Sequence, residues 1–248
     1  MLKLKIRFIA LECESERIEF MKGWLEKTGF PDWEWLPGVS IQDVSACPSY
    51  DDRKRVQRYG YPMTPSEVGC FLAHRDCWEY AVSENLCILI LESDSVFCGD
   101  KGRLCALLES IMSCHDEWDL IRLHGIFEKN ELWLRKITSL INEYTLEQSL
   151  GDPMGAGAYL VTPNGARKLL KASELFFQPV DVFLSSNWMH RCRFRVVKPY
   201  PFDIVKFPSV IGQRKRPKQT TLQRLRIESH RLLDDIFRIC YLPVKFFR

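Results

Sequence analysis

The sequence predicts an α/β domain with a mixed, mostly parallel sheet, followed by a basic helical tail. Strand-like and helix-like segments alternate along most of the chain, which is the pattern of parallel α/β folds. Residues Cys87–Leu91 form an uninterrupted apolar run, typical of a strand that is buried on both faces. The 248 residues are 46% hydrophobic and 12% aromatic, enough to fill a large core. We therefore expect a folded domain over residues 1–212 and a helical tail over residues 213–248.

The N-terminal part of the domain begins with a strand, a helix and a second strand. Charged and apolar residues alternate over Lys3–Leu11, which predicts the first strand. Ser15–Thr28 carries an apolar stripe and is followed by Gly29, a common helix-ending residue, so it predicts a helix. Trp33–Val39 predicts the second strand. The polar residues 40–62 predict a long, mobile connection that lies near a site.

A second helix has a clear start signal between Thr64 and Glu67. Thr64 can cap the helix, Pro65 suits the first helical position, and Glu67 falls where a capping-box carboxylate belongs. We expect this helix to continue to about Ser83. The remaining pattern predicts, in chain order, a helix at Lys101–Cys114, a strand at Trp118–Leu123, strands near Leu132–Ile137 and Glu143–Leu146, a strand entered from Gly155, and a helix at Ala166–Ala172.

Two carboxylates, Glu92 and Asp94, directly follow the predicted buried strand. Ligands of open α/β sheets bind at the carboxyl ends of the strands. Carboxylate oxygens are hard donors that suit Mg²⁺ or Mn²⁺, and a diphosphate can be held through such an ion. The same residues can instead form an acidic turn that closes the strand. The spacing alone leaves both interpretations open.

Three further positions have both a functional and a structural interpretation. The segment Gly155–Gly157 precedes a strand, whereas the dinucleotide fingerprint needs its glycine turn between a strand and a helix. Its small residues favour close approach of the backbone to a bulky ligand. His74 lies on the second predicted helix, where a histidine is more often a packed side chain than a catalyst. Asp181 lies in an apolar run, either as a functional acid or as a helix N-cap.

Charge and cysteine usage limit the class of protein. The net charge is +3, yet residues 213–248 alone hold ten Lys and Arg residues against three Asp and Glu residues. The ten cysteines form no Cys-x-x-Cys pair, so we expect core thiols in a reducing compartment. The sequence has no apolar run of transmembrane length and no signal-peptide pattern at its start. These observations predict a cytoplasmic protein.

The basic tail, residues 213–248, combines arginines with apolar residues at near-helical spacing. Such a basic amphipathic helix can lie on an anionic membrane surface, here the inner face of the cytoplasmic membrane. It can also pack on the domain with its arginines in solvent. We do not expect nucleic-acid binding, because the rest of the chain is slightly acidic and no aromatic residues are interleaved with the arginines.

Several segments together resemble glycosyltransferase family 25, the lipooligosaccharide galactosyltransferases and their collagen-modifying relatives. They occur in the order of the family's motifs across roughly residues 4–212. The matching segments are the opening strand with Arg17, Ser66–His74 against Gly-Glu-x-Gly-Cys-x-x-Ser-His, Leu91–Asp94 against Leu-Glu-Asp-Asp, the strand Asp119–Leu123, Gly157–Leu170 against Gly-x-x-Ala-Tyr-x-x-Ser-x-x-Gly-Ala-x-x-Leu, and Pro179–Asp181 against Pro-x-Asp.

The resemblance implies a GT-A-like, Rossmann-type fold and inverting transfer of a sugar, galactose from UDP-galactose, in lipooligosaccharide or lipopolysaccharide biosynthesis. The acceptor would be a hydroxyl of a glycan or glycolipid. Mn²⁺ or Mg²⁺ held by Asp94 would neutralise the departing diphosphate, with Glu92 as a second ligand or as a contact to the ribose or a metal-bound water. Inversion needs a base on the acceptor hydroxyl, and we assign that role to Asp181, with metal ligation as its alternative.

The resemblance also implies contacts to the nucleotide-sugar donor. Arg17 corresponds to the family's arginine after the first strand. Glu67 and His74 lie two turns apart on one helix, where they would contact the nucleotide or support the metal site. Gly155 and Gly157 would let the backbone approach the donor closely.

Two positions depart from the family pattern. Ser93 stands in place of the middle acid of Glu-Asp-Asp, and Ala73 stands in place of a serine beside His74. A catalytically silent relative that binds a nucleotide sugar or a glycan is therefore the alternative function. A metal-dependent phosphohydrolase is disfavoured, because its two-metal site needs more Asp and His ligands than we can assemble near residue 94.

Overall fold

The computed structural model describes residues 3–99, 101–126, 134–149, 154–207 and 220–246. The strands are β1 Leu4–Ala10, β2 Trp33–Pro37, β3 Cys87–Glu92, β4 Ser95–Phe97, β5 Leu120–Arg122, β6 Leu134–Ser139, β7 Thr145–Ser149, β8 Ala158–Val161, β9 Phe194–Lys198 and β10 Phe202–Ile204. The helices are α1 Ser15–Thr28, α2 Asp52–Tyr59, α3 Pro65–Ser83, α4 Lys101–Ser113, α5 Pro163–Ala172, α6 Val180–Ser185, α7 Asn187–His190 and α8 Thr221–Phe246.

Eight of these strands form one sheet in the order β2-β1-β3-β8-β5-β9-β7-β6, and β4 pairs with β10 in a second, two-stranded sheet. Strands β8 and β7 pair antiparallel with both of their neighbours, so they oppose the direction of the other strands. The predicted α/β class with a mixed, mostly parallel sheet is confirmed. Strands β1, β3 and β5 all end at one side of the sheet, which we call the carboxyl edge, and β8 begins there.

Helices cover both faces of the sheet. This is why β3 is apolar at every position before Glu92, since its side chains on both faces are buried. Leu89 and Leu91 pack into a cluster with α1 and α4. Ile88 and Ile90 pack into a second cluster with α3, α5 and α6. Successive side chains of a strand point to opposite faces, and the same alternation turns Glu92 toward the α3 side.

Local signals fix several helix boundaries where the sequence predicts them. Helix α1 spans the predicted residues, and Gly29 ends it in the left-handed conformation with φ of +70°. Helix α3 begins with the complete capping box, in which Thr64 and Glu67 exchange side-chain and backbone hydrogen bonds. Helix α5 is capped by the Thr162 hydroxyl, which accepts from the Gly165 N–H.

The structure differs from the prediction between residues 40 and 62. This connection contains a 3-10 turn at Val44–Ala46 and helix α2. The Asp51 side chain caps α2, and Gly60 ends it with φ of +81°. Because α2 has one buried side chain, Arg55, it has no apolar stripe for a periodicity search to find.

Other differences concern short elements and strand ends. The sequence analysis assigns no element to β4 or to the segment from α6 to β10, where the elements have three to six residues each. The strand predicted near Leu132–Ile137 begins outside the described residues, and β6 starts at Leu134. The predicted helix of the tail is confirmed over α8, while residues 213–219 lie outside the described residues.

Helix α8 contacts α2 and α7. Arg58 donates to Asp234 at 2.6 Å across this contact, and Ile227 is buried in it. In the part of the chain that the structure describes, no helix combines the length and hydropathy that crossing a bilayer requires. All ten cysteines are free thiols, but the predicted core location holds for only part of them, because Cys13, Cys98 and Cys240 are exposed.

Candidate functional site

The carboxyl edge brings together residues of three separate segments. The backbone N–H of Glu92, at the end of β3, donates to the Gly157 carbonyl at 2.8 Å. The N–H of Leu123, directly after β5, donates to the Ala158 carbonyl at 3.0 Å. The acidic turn that ends at Asp94, the glycine segment and the end of β5 therefore border one surface.

Glu92 is approached from the α3 side by a chain of buried polar groups. His74 Nε2 lies 3.5 Å from Glu92 Oε1. His74 Nδ1 lies 2.8 Å from the Tyr159 hydroxyl oxygen, which also accepts from Trp78 Nε1 at 3.0 Å. The side chains of His74, Trp78 and Tyr159 are fully buried, so their polar atoms depend on partners within the protein.

This chain of contacts fixes the tautomer of His74. An indole N–H can only donate, so the Tyr159 oxygen accepts from Trp78 and the tyrosine hydrogen needs a separate acceptor. Burial raises the pKa of Tyr159 well above its usual value, so the hydroxyl keeps its hydrogen. His74 Nδ1 is the acceptor within reach, and the histidine hydrogen is assigned to Nε2. His74 is therefore a donor that faces Glu92.

Asp94 is a partly buried carboxylate with an incomplete set of partners. Its Oδ1 is buried and has no hydrogen-bond partner among the described residues, and its Oδ2 lies 3.9 Å from Arg17 Nη1. Burial and then the charge of Glu92 raise the pKa of Asp94 to about 6, although Arg17 acts in the opposite direction. A cation bound by Asp94 and Glu92 would compensate the buried charge of Asp94 and the repulsion between the two carboxylates. These residues therefore fit a divalent metal.

Arg17 approaches the acidic turn from α1. Its Nη1 lies 3.3 Å from Glu14 Oε1 and 3.4 Å from the Ser93 hydroxyl. Its guanidinium also lies 5.2 Å from the ring centre of Phe207. Ser93 is buried and faces Arg17, so an acid at this position would lie beside the arginine.

The two predicted glycines pack against side chains of this chain. A Cβ atom at Gly157 would come 2.7 Å from Ser95 Oγ and 3.2 Å from His124 Nδ1. Gly155 has φ of +91°, and a Cβ atom there would come 3.0 Å from Ile126. The close approach at these glycines is therefore made by the protein itself, and a contact between either glycine and the donor stays a prediction.

His124 is a site residue to which the sequence analysis assigns no role. It is buried, and its Nδ1 has no hydrogen-bond partner in the described ranges. Burial lowers the pKa of His124, and the charge of Glu92 partly opposes this effect. Its position in the sequence could have identified His124 as a site residue, because it follows β5 at the same edge of the sheet where Glu92 ends β3. Ser95, also buried with an unpartnered hydroxyl among the described residues, gives no comparable signal.

Glu67 is engaged in the capping box of α3. Its Oε2 accepts from the Thr64 N–H at 2.8 Å and from the Thr64 hydroxyl at 3.2 Å. The structural role predicted for Glu67 is therefore confirmed, and its contact with the nucleotide stays a prediction.

Asp181 lies in the first turn of α6. Its Oδ1 accepts from the Val182 N–H at 2.8 Å, but the N-cap residue of α6 is Pro179, so the interpretation of Asp181 as the helix N-cap is wrong. Its carbonyl accepts from Arg122 Nη2 at 3.4 Å, and Arg122 ends β5. The Arg122 contact brings the start of α6 to the carboxyl edge, and the role of Asp181 as a base or metal ligand stays a prediction.

Two sets of donor atoms can hold a metal at this edge. Glu92 and Asp94 offer oxygens, which suit Mg²⁺ or Mn²⁺. Cys70, His74 and Glu92 also offer one atom each within 4.8 Å of one another, a mixed set that suits zinc better. Ligation by His74 Nε2 would displace the hydrogen that the Tyr159 contact assigns to it. The oxygen pair is therefore the better fit.

The sequence profile described as "Glycosyltransferase family 25 (LPS biosynthesis protein)" matches residues 4–184. This range extends from β1 into α6 and covers most of the chain. It contains each of the residues that the sequence analysis assigns to the site: Arg17, Glu67, His74, Glu92, Asp94, Gly155, Gly157 and Asp181.

Curated relatives give the same family. "Procollagen galactosyltransferase 1" of Danio rerio is 33% identical over 152 residues, which cover 59% of this chain and 23% of that protein. "Inactive glycosyltransferase 25 family member 3" of Homo sapiens is 31% identical over 208 residues, 79% of this chain and 31% of that protein. The chain thus spans less than a third of the length of these two relatives, one named as a galactosyltransferase and the other as inactive.

Proposed function

The chain belongs to glycosyltransferase family 25, and on that basis we propose that it is an inverting, metal-dependent glycosyltransferase. We propose UDP-galactose as the donor and a hydroxyl of a glycan or glycolipid as the acceptor. The description of the family as a lipopolysaccharide biosynthesis protein and the name of the Danio rerio relative support these assignments.

One observation carries the proposal: buried polar atoms without partners gather at the carboxyl edge. Asp94 Oδ1, Ser95 Oγ and His124 Nδ1 are all buried without a hydrogen-bond partner among the described residues. Leaving such atoms unpaired costs free energy in the unliganded protein, and a polar ligand would recover it. The carboxylates of Glu92 and Asp94, which are close enough for the charge of Glu92 to raise the pKa of Asp94, suit Mn²⁺ or Mg²⁺ and, through it, a diphosphate.

The residues of the chain would bind and orient the donor at this edge. Glu92 and Asp94 would hold the metal, which when bound would neutralise the negative charge that develops on the leaving diphosphate. His74 Nε2, which lies 3.5 Å from Glu92 Oε1, would help to orient the Glu92 carboxylate. Arg17 supplies a fixed positive charge on the α1 side of the acidic turn.

Inverting transfer also needs a base on the acceptor hydroxyl. We assign this step to Asp181, whose carboxylate takes the hydroxyl proton as the new carbon–oxygen bond forms and the sugar–phosphate bond breaks. The contact of Arg122 with the Asp181 carbonyl supports the assignment, because it holds the start of α6 at the edge.

We further propose that the protein acts in the cytoplasm and contacts the anionic inner face of the membrane through residues 213–248. An exposed apolar stripe on α8 supports this surface contact. Leu225, Leu232 and Ile236 lie on one side of the helix and are between 45% and 65% exposed. A lipid-anchored acceptor would be within reach of an enzyme held in this way.

A second candidate function is that of a silent relative that binds a nucleotide sugar or a glycan without transferring it. The inactive Homo sapiens relative, which aligns over 79% of this chain, and Ser93 favour this function. The complete pair of Glu92 and Asp94 favours the enzyme.

A screen of nucleotide sugars by thermal shift, with and without Mn²⁺, followed by a turnover assay, tests both functions. A donor at 100 times its Kd should stabilise the native state by about 2.7 kcal/mol. Stabilisation together with donor cleavage or transfer supports the enzyme, and stabilisation without turnover supports the silent relative. The absence of stabilisation by every nucleotide sugar would contradict both.

A further inference from the structure

Arg55, the one buried residue of α2, is a cation with no ion-pair partner among the described residues. Its side chain is only 3% exposed, and its Nε is buried without a hydrogen-bond partner among the described residues. No carboxylate of the described residues lies within ion-pair distance of the Arg55 guanidinium. An unpaired buried charge is among the costliest groups a fold can contain, so its retention calls for a partner of another kind.

Two tyrosine rings contact the Arg55 guanidinium. The guanidinium carbon lies 4.2 Å from the ring centre of Tyr59 and 4.9 Å from that of Tyr61. Tyr59 is one helical turn further along α2, and Gly60 in the left-handed conformation turns the chain so that Tyr61 folds back. Ring contacts stabilise the cation but supply no oxygen acceptor, and Arg55 Nε has no acceptor among the described residues.

Two other arginines, Arg7 and Arg58, show the contrasting arrangement with carboxylate partners. Arg7 is similarly buried, yet its guanidinium contacts both Glu34 and Asp76. Arg58, on the same helix as Arg55, forms an ion pair with Asp234. Arg7 and Arg58 therefore have carboxylate partners, whereas no ion pair joins Arg55 to a carboxylate of the described residues.

Helix α2, which carries Arg55, is hydrogen-bonded to the chain segment that precedes Asp181. The Tyr59 hydroxyl accepts from Gln178 Nε2 at 2.7 Å, and Gln178 is three residues before Asp181. The segment before α2 also pairs with this region, since the Asp51 N–H donates to the Phe176 carbonyl at 2.8 Å. Both connections join α2 to the chain that enters α6 at the carboxyl edge.

We propose that Arg55 binds a phosphate group of a substrate through the planar edge of its guanidinium. A guanidinium fork matches a phosphate with two parallel hydrogen bonds, and an anion would supply the counter-charge that the fold omits. The phosphate belongs either to the diphosphate of the donor or to a phosphorylated acceptor. These two candidate molecules follow from the proposed function, on which this part of the inference rests.

The test compares Arg55→Met with the wild-type full chain and with Lys54→Met. Lys54 is the preceding residue of α2 and contacts the ring of Phe177, so its variant removes the same charge from the same helix. Because both variants lose a cation–ring contact and Arg55 has no ion pair among the described residues, Arg55→Met should lower the melting temperature of the unliganded protein no more than Lys54→Met does. A fall of the melting temperature beyond that of Lys54→Met would assign Arg55 a structural role and overturn the proposal.

Binding is then measured by thermal shift and calorimetry with two probes, UDP with Mn²⁺ and inorganic phosphate. Arg55→Met should weaken the Kd of at least one probe by about tenfold to a hundredfold, as expected for a lost charged hydrogen-bonded pair. Arg55→Lys, which keeps the charge but not the fork, should give an intermediate loss.

The two probes distinguish the carriers of the phosphate. A loss of UDP affinity assigns Arg55 to the donor, whereas a loss of phosphate affinity with unchanged UDP affinity assigns it to an anionic acceptor. Unchanged affinity of Arg55→Met for both probes, or no binding of either probe to the wild-type chain, would overturn the proposal. These measurements need no turnover, so they remain decisive if the transferase activity is absent.

Discussion

At the scale of single residues, Asp119 differs from Asp94 and Arg55 in how far its charge is compensated by neighbouring side chains. Asp119 is fully buried, and Lys168 and the Arg193 guanidinium lie 2.5 Å and 3.2 Å from its oxygens. Asp94 and Arg55, in contrast, are left with incomplete sets of partners. A buried charge that stabilises a fold needs a partner within the protein, whereas a charge that binds a ligand obtains its partner from that ligand.

Replacing Asp94 with Asn should separate stability from activity. At pH 7.5 without divalent metal, the variant should melt a few degrees higher than the wild type, because it removes a partly buried charge beside Glu92. Transfer activity with Mn²⁺ should fall by about 100-fold or more. Differential scanning fluorimetry and a donor-turnover assay measure the two effects. Full activity of the variant would refute the role of Asp94 in metal binding.

Asp119 should make stability depend on pH in acid. Burial by itself raises the pKa of Asp119, but hydrogen bonds from the Arg193 N–H and from the Lys168 and Arg193 side chains hold it at about 2. Since this value lies below the unfolded-state pKa, the stabilisation is present above about pH 4 and is lost as the pH falls toward 2. It amounts to about 2 kcal/mol at neutral pH.

Urea unfolding of Asp119→Asn checks this dependence. At pH 7 the variant should be about 2 kcal/mol less stable than the wild type, and the difference should narrow between pH 5 and pH 3. A difference that stays constant with pH would mean that packing, and not the charge, causes the loss.

At the scale of elements, α3 combines the start of a stable helix with a wall of the site. Its first turn contains the capping box of Thr64 and Glu67, and its second and third turns carry Cys70 and His74 toward Glu92. The buried contact of His74 with Tyr159 joins this helix to β8. The cap therefore also fixes the axial position of the histidine.

Two variants separate the capping role of Glu67 from its predicted donor contact. Thr64→Ala should cost about 1 kcal/mol of stability, because the Glu67 N–H loses its acceptor. Glu67→Gln keeps a side-chain oxygen for the box and should be close to wild type in stability. If Glu67 contacts the donor, Glu67→Gln should raise the KM for the donor in steady-state kinetics. Unchanged KM would restrict Glu67 to its structural role.

At the scale of the whole molecule, the tail is a docked helix with a second, exposed face. Ile227 and Asp234 face the domain, and Leu225, Leu232 and Ile236 lie on the opposite side of α8. The docked face agrees with the interpretation of a packed helix, and contact of the exposed face with a membrane stays a prediction. The buried contact holds the tail on α2 and α7, so the exposed stripe has a defined orientation relative to the domain.

Glutamate substitutions on the exposed stripe test its contact with a membrane. Leu232→Glu together with Ile236→Glu should weaken sedimentation with anionic vesicles by about tenfold or more, since apolar area is lost and negative charge is added. The melting temperature should not change. Leu175→Glu, which adds charge at an exposed apolar position outside the tail, is the control. Equal sedimentation of all three proteins would rule out the stripe as a membrane surface.

The sequence predicts much of the framework because its signals are local. The bounds of α1, the capping box at Thr64 and the buried strand before Glu92 each depend on residues within one element. Helix α2 is missed because its caps are short signals and its buried residue is an arginine. His124 and Ser95 are missed because neither stands in a motif with the acidic turn.

The sequence by itself determined the α/β class, the family and the identity of the acidic pair, since these depend on pattern and residue type. Only the tertiary structure decided how the site is assembled. Strand β8 runs antiparallel beside β3, which puts Gly157 against Glu92, and His74 meets Tyr159 across 85 residues of chain. Which buried charges are paired also depends on such distant contacts, and periodicity within one segment carries no information about them.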